Sequence, residues 1–330
     1  MNIIPTIFNE NIPSYTAVGG KERIASTGIS AVILNPPGHP RRTFFQELEK
    51  TGFDNIISIE SCAPHYDIEE LSGRFPFVRF ILPEKKLNLG EQINLAACEI
   101  EAPLFFVLRS DMKMIAGGTA RRMAERLSVN KRLCTVPLIM NSNYEALPSL
   151  VAPMAHKKKM RTFFLEGQNE GDLSLYPFDG IGIYDRQRFI GMGGFDVTLN
   201  RTHWQLMDFG FRSYLWGEEI AVNLHFKFAY DNDPLPEDYS AGESYKRFYL
   251  KNIAPVYRRD YAHLPFYRFP GFLFKSGEDI ISAMEEFKQA RKWITVNKYR
   301  FKSDAHEVLN KWNERETQSL KDTDKKGEKN

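Results

Sequence analysis

Four short apolar runs constrain this chain more than any other feature: Ile29–Leu34 (ISAVIL), Asn55–Glu60 (NIISIE), Phe77–Leu82 (FVRFIL) and Leu104–Leu108 (LFFVL). A run of this length with no polar alternation has no face to offer water, so it suits a strand covered on both sides. Segments of helical spacing lie between the runs. Phe44, Phe45 and Leu48 share a face in Arg42–Thr51, as do Ile93, Ala96, Ala97 and Ile100 in Gly90–Ile100. The breaker Asn35-Pro36-Pro37-Gly38 separates the first strand from the first helix. Strands alternating with helices imply βαβ units and an α/β fold, with a mainly parallel central sheet flanked by helices. Such sheets bind ligands beyond the carboxyl ends of their strands, where Asn35, Glu60 and Asp111 fall.

Downstream, a helix is expected at Gly118–Leu127 and a strand at Arg132–Leu138. Pro153–Leu173 reads as an excursion carrying the basic residues Lys157, Lys158, Lys159 and Arg161. A strand at Gly180–Tyr184, a helix at Arg186–Met192, a Gly193-Gly194 turn, a helix at Trp204–Leu215 and a strand at Ala221–Tyr230 follow. After the acidic loop Asp231–Asp238 come a helix at Glu243–Lys251 and an aromatic connector, Tyr257–Phe274. A C-terminal helical extension starts at Ser276, its stripe formed by Ile280, Ile281, Met284, Phe287, Ala290 and Ile294, with a second helix at Ser303–Glu316. The expected organisation is an irregular lead-in (1–28), a main α/β domain (29–255, halves 29–138 and 139–255), the connector and helices (256–316) and a disordered polar tail (317–330).

With 44 basic and 42 acidic residues the net charge is +2, which offers no general attraction to nucleic acid. Three cysteines without CxxC spacing suggest buried thiols in a reducing compartment. Met1–Pro13 lacks a basic start followed by an apolar run, and no apolar stretch reaches the ~20 residues that span a bilayer. The reading is a cytoplasmic protein, with peripheral contact at the inner face of a membrane left open.

The run Asn88-Leu89-Gly90-Glu91-Gln92-Ile93-Asn94, then LFFVL and Arg109-Ser110-Asp111, resembles the family 2 glycosyltransferases, whose strand at this place ends in D-x-D. Ile190–Asp196 (IGMGGFD) is similar to the family's GGFD segment, and Asp208-Phe209-Gly210-Phe211-Arg212 to the D-L-x-x-R part of its E-D-x-D-L-x-x-R helix. The resemblance covers Ile29–Tyr230 and implies a GT-A fold, the nucleotide-diphospho-sugar transferase architecture. It implies a glycosyltransferase of hexosyltransferase type, which moves a sugar with inversion from a nucleoside-diphosphate donor to a hydroxyl of a glycan or glycolipid precursor, as in cell-envelope polysaccharide biosynthesis.

The site residues so implied are Asn35, Glu60, Asn88, Arg109, Ser110 and Asp111 for the nucleotide sugar, and Trp204 and Arg212 for the acceptor. Asp111 would hold Mg²⁺ or Mn²⁺, with His225 completing the metal shell. Two departures bear on mechanism. Arg109 replaces the first Asp of D-x-D and can itself face the diphosphate, while Gln205-Leu206 stand where the family has Glu-Asp, the second being its usual base. Asp208 is the replacement base, with Asp196 as the alternative; an Asp208–Arg212 i,i+4 ion pair is the structural reading of the same residue. Those departures also admit a degenerate domain that binds nucleotide sugar or glycan without turnover. Glu218 and Glu219 read as solvated charges, and the C-terminal helix as a docking or homodimer element. No G-x-G-x-x-G follows a strand and no Gly-rich basic loop follows the first strand, which disfavours a dehydrogenase and a nucleotidyltransferase.

Overall fold

The computed structural model describes residues 12–20, 26–36, 41–62, 68–129, 131–156, 159–232, 240 and 242–312. Lys157, Lys158, Pro234–Asp238 and the tail from Thr317 lie outside the described residues.

The apolar runs become β2 (Ile29–Leu34), β3 (Ile56–Ile59), β4 (Val78–Pro83) and β5 (Leu104–Arg109), paired in parallel in the order β4-β3-β2-β5. β1 (Tyr15–Gly19) closes that edge antiparallel to β4. On the other side come β10 (Gly182–Asp185), β7 (Cys134–Met140), β11 (Ile220–Tyr230) and β6 (Met112–Ala116), giving a nine-stranded sheet in the order β1-β4-β3-β2-β5-β10-β7-β11-β6. β10 runs antiparallel to both its neighbours, whereas β7 and β11 are parallel. The sheet is therefore mainly parallel, with β1, β10 and β6 reversed.

Its two faces carry separate cores, which is why the central strands show no polar alternation. Val32 and Leu34 of β2 pack on one side, and Ile29, Ala31 and Ile33 on the other. The second face is covered by α1 (Arg41–Thr51) through Phe44, Phe45 and Leu48, by α2 (Ile68–Arg74) and by α4 (Ala120–Val129). The first face takes α3 (Leu89–Glu99), α5 (Arg186–Met192) and α6 (Thr202–Leu215). α7 (Glu243–Phe248) runs on as a π-helical segment, Tyr249–Ile253. The same core extends without a break into α8 (Phe269–Ser276), α9 (Ile280–Asn297) and a helix over 305–312.

The C-terminal extension is thus docked on the α/β body. Ala283, Phe287, Ala290 and Ile294 of α9 face inward, Phe287 meets Phe269 and Phe272, and Trp293 stacks on Trp216 with ring centroids 6.0 Å apart. Ile280 and Ile281, expected in the buried stripe, are 65% and 79% exposed because α9 begins beyond the edge of the body.

Four further expectations are corrected. Tyr15–Gly19, within the lead-in, is a sheet strand. The excursion is a hairpin of β8 (Leu150–His156) and β9 (Lys159–Leu165), and the aromatic connector contains a second hairpin, β12 (Val256–Arg258) with β13 (Tyr261–His263). Of the three thiols only Cys134 is buried; Cys98 is half-buried and Cys62 exposed. Among the described residues no helix is long and apolar enough to cross a membrane.

Candidate active site

Two polar clusters form at the carboxyl edge of the sheet. In the first, at the ends of β2 and β3, Asn35 donates through Nδ2 to Ser58 Oγ (2.9 Å) and to the Ile59 carbonyl (2.8 Å). Ser58 donates to Glu60 Oε1 at 2.7 Å, and Glu60 is only 4% exposed. Asn35 therefore spends its amide nitrogen internally, while its Oδ1 is buried without a partner. Ser110 Oγ is buried without a partner as well. Leu34 pairs with Arg109 across β2 and β5, and Ser110 N–H bonds the Leu34 carbonyl at 3.0 Å, so the two unmatched oxygens belong to adjacent strand ends. A buried orphan acceptor beside a buried orphan hydroxyl is costly unless a ligand completes it.

The second cluster surrounds Arg109 at the end of β5. Its Nε and Nη2 hold both oxygens of Asp111, at 2.9 and 2.7 Å, and Nη1 reaches Asp179 Oδ2 at 3.2 Å. Tyr230, from the end of β11, donates to the same Asp179 oxygen at 2.7 Å, and its ring lies 5.6 Å from the guanidinium. Burial works against the Arg109 charge, but the hydrogen bond to Asp111 and the charges of Asp179 and Asp111 outweigh it and hold the group firmly protonated. Burial and the Asp179 charge push the Tyr230 hydroxyl well up, so it remains a donor. Asp179 had no signal in the sequence; it sits in a turn just before β10, far from any quoted motif.

This arrangement does not fit a divalent cation held as D-x-D would hold it. Both Asp111 oxygens are already spent on Arg109, and among the described residues no three His, Cys, Asp or Glu side chains converge. His225 does not join Asp111. It is exposed on β11, within the irregular stretch between Asn223 and Lys227 and five residues before Tyr230.

The motifs that carried the resemblance meet elsewhere, at a packing joint around the N-terminus of α3. Asn88 caps that helix, accepting from Glu91 N–H at 2.9 Å, and its Nδ2 turns to the Val197 carbonyl at 3.4 Å. Its polar atoms serve the cap rather than a nucleotide. Asn94 bonds both backbone groups of Phe195, at 2.9 Å each, and so fixes the Gly-Gly-Phe-Asp turn against α3. Gln205 accepts from Gly90 N–H at 3.0 Å, satisfying a first-turn donor of α3, and donates to the Leu199 carbonyl at 2.7 Å. A β-carbon on Gly90 would lie 2.8 Å from Phe195 Cβ, so the joint closes only on glycine.

Behind that joint Asp208 and Arg212 are fully enclosed, with side chains 0% and 1% exposed. Arg212 holds Asp208 Oδ2 at 3.0 Å, the Gly194 carbonyl at 2.8 Å and the Met192 carbonyl. Asp208 Oδ1 takes Lys251 Nζ at 2.9 Å and Asn252 Nδ2 at 2.8 Å, and Lys251 also meets Asp196 Oδ2 at 2.6 Å. Burial raises the Asp196 carboxyl, but Lys251 and Thr198 outweigh it and hold the group well below the usual carboxylate range. Neither aspartate can act as the expected base from this position. Asp208 has no exposed surface, and the hydrogen bonds that lower Asp196 make it a poor proton acceptor. Arg212 is likewise a pillar of this cluster and not an acceptor contact. Trp204 is 5% exposed, donates to the Ser240 carbonyl at 3.0 Å and packs against Tyr245 and Phe248, so it is a core residue rather than a sugar platform. The i,i+4 spacing flagged the Asp208–Arg212 pair; Lys251 and Asn252, more than 40 residues on, carried no local signal.

No family model matches the sequence, and no curated protein matches it. Among solved structures the chain is similar to GalNAc-T7, crystallised with UDP, GalNAc and Mn²⁺, at 13% identity and a TM-score of 0.52 over 84% of this chain. It spans 57% of that protein's length. A weaker likeness is to TarS of S. aureus, at 12% identity, a TM-score of 0.47, and 79% and 43% of the two chains. With the parallel β4-β3-β2-β5 block, the reversed β10 and the β5–β6 turn at Ser110-Asp111 already in place, the GalNAc-T7 likeness is decisive for architecture: the chain has the GT-A glycosyltransferase fold.

Proposed function

We propose that this protein is a glycosyltransferase that takes its sugar from a nucleoside diphosphate, with the donor at the carboxyl ends of β2, β3 and β5. The observation that carries the reading is Arg109. A guanidinium has five N–H groups, and Arg109 uses three on Asp111 and Asp179. The remaining two, on a side chain 25% exposed, are available to a diphosphate. In this reading Arg109 does the charge-stabilising work that a cation does in D-x-D enzymes, and Asp111 and Asp179 fix its orientation. Asn35 Oδ1 and Ser110 Oγ offer an acceptor and a donor on adjacent strand ends, which suits the imide edge of a uracil or the N–H and carbonyl of a guanine. Glu60 backs that edge. UDP in the GalNAc-T7 complex is consistent with such a site on this fold. The acceptor is a hydroxyl of a glycan or glycolipid.

Nucleotide binding without transfer is the second reading. Leu206, at the position where the resembling helix carries its base, is fully buried, and Asp208 is enclosed. Melting temperature measured with UDP, GDP, CDP and dTDP, each with Mn²⁺, Mg²⁺ or EDTA, tests the donor site. The expected result is stabilisation by one nucleotide that survives EDTA. No response to any of them refutes the proposal. Release of free sugar from the matching donor then separates turnover from binding.

A further inference from the structure

A cavity of about 290 Å³ opens between the Asp196–Thr198 turn, the π-helical segment and α9. Its floor is the buried Lys251–Asp196 ion pair, each side chain 4% exposed. Glu286, Gln289 and Trp293 face it from α9, and Arg247 from α7. Glu286 Oε2 and Trp293 Nε1 are buried without a hydrogen-bond partner. Burial and the nearby Glu278 raise the half-buried Glu286 carboxyl. Two orphaned polar atoms on one helix, both on residues lining one cavity, indicate a missing partner with hydrogen-bonding groups of its own.

The lining also says what that partner is. Lys251 and Arg247 balance Asp196 and Glu286, so the lining of the cavity carries no net charge. Leu250, Ala290 and Trp293 add apolar wall. Donors, acceptors and apolar surface in a neutral cavity near the small end of ligand pockets match a single sugar ring, with hydroxyls at its rim and C–H groups on its faces. The π-helical turn belongs to the same design. Inserted turns of this kind are frequent at functional sites, and here it carries Lys251 and Asn252 into the ion cluster.

The cavity also lies on the correct edge of the sheet. The first turn of α3 touches both sites: Leu89 approaches Gly180, next to Asp179 of the Arg109 cluster, and Asn88 reaches Val197, next to the cavity residues Asp196 and Thr198. We infer that this cavity is a glycan subsite that seats one pyranose ring of the acceptor, with Glu286, Gln289, Arg247 and Trp293 as its polar contacts. The assignment to the acceptor rests on the donor reading above.

Saturation-transfer NMR with the methyl glycosides of glucose, galactose, mannose and N-acetylglucosamine tests it on the full chain. At least one glycoside should give signals, and these should be lost in Ala290→Leu, which fills the cavity, and in the double variant Glu286→Leu/Gln289→Leu. The nucleotide-induced rise in melting temperature should persist in both variants and so report that each is folded. Signals from no glycoside, or signals unchanged in Ala290→Leu, overturn the subsite while leaving the donor site standing. Glycoside signals that depend on the cavity in a protein that answers to no nucleotide keep the sugar site and overturn the donor reading instead.

Discussion

Replacing Arg109 with alanine should convert a metal-independent nucleotide site into a metal-dependent one. Arg109 offsets one of the two carboxylates beside it, Asp111 and Asp179, which are 10% and 16% exposed. Without it, two uncompensated negative charges face the position assigned to the diphosphate. The direct loss is one or two charge-assisted hydrogen bonds, together about 2–4 kcal/mol, or roughly 30- to 700-fold in affinity. With nucleotide at 100 times the wild-type Kd, stabilisation of the native protein is about 2.7 kcal/mol. The variant should retain under about 0.9 kcal/mol of that in EDTA by the same relation. Mn²⁺ should restore part of it, because both Asp111 oxygens lose their Arg109 partner and can bridge a cation to phosphate, while Tyr230 continues to hold Asp179 Oδ2. The assay is thermal unfolding against nucleotide concentration, with EDTA or Mn²⁺, for both proteins. Two results refute the reasoning: a variant that keeps its full response in EDTA, or a wild type whose own response disappears in EDTA.

Lys251→Met should destabilise the protein by about 3–5 kcal/mol in denaturant titrations, because it strands Asp196 in the interior while Asp208 keeps Arg212. Adding Asp196→Asn should recover much of that loss, and a double variant no more stable than the single would rule out the ion-pair account. The pH dependence should change sign between the two proteins. In the wild type the Asp196 carboxyl lies below its unfolded value, so its contribution is present above about pH 4 and is lost only as pH falls further. In Lys251→Met burial pushes the same carboxyl up, so the variant should be more stable at pH 5 than at pH 7; melting curves across that range decide. Gly210→Ala should destabilise by roughly 1–3 kcal/mol although alanine is the better helix former by about 1 kcal/mol, since the new β-carbon would sit 2.3 Å from the Leu175 carbonyl oxygen. A neutral or stabilising Gly210→Ala melt would show that α6 can move away from the Leu175 backbone.

The parallel half of the sheet was legible because burial on both faces leaves an imprint that is local in sequence. β2 was read to the residue, and β3, β4, β5 and α3 to within about a residue at each end. The missed strands lack that imprint. β1 lies on an edge, where Tyr15, Ala17, Val18 and Gly19 are half-buried, and β6 is five residues long with Lys113 and Ile115 pointing outward. The β8–β9 hairpin was obscured in the sequence by the basic run Lys157-Lys158-Lys159. α9 was expected from Ser276 but starts at Ile280 behind its Asp279 cap, Ser276 being the end of α8, and the exposure of its first turn depends on where the body ends, which no periodicity records.

The site divides along the same physical line. Residues at strand ends were found because the topology of a parallel sheet brings them together whatever their identity, so Asn35, Glu60, Ser110 and Asp111 do share one edge. The residues of the motifs that carried the resemblance lie in the packing joint around α3 and not among the strand-end residues. A motif records which side chains a fold cannot do without, and in this molecule Asn88, Asn94, Asp196, Asp208 and Arg212 are needed to lock α3, the Gly-Gly turn and α6 into one joint. That joint fixes the spacing between the Arg109 cluster and the cavity under α9 by holding Gly180 on one side of a single helix turn and Val197 on the other. A substitution there should alter donor and sugar binding together, whereas Arg109→Ala and Ala290→Leu should each alter one. Measuring both responses in Asn94→Leu therefore distinguishes a shared scaffold from two independent sites: coupled loss in a protein that still unfolds cooperatively supports the scaffold, and loss confined to one ligand refutes it.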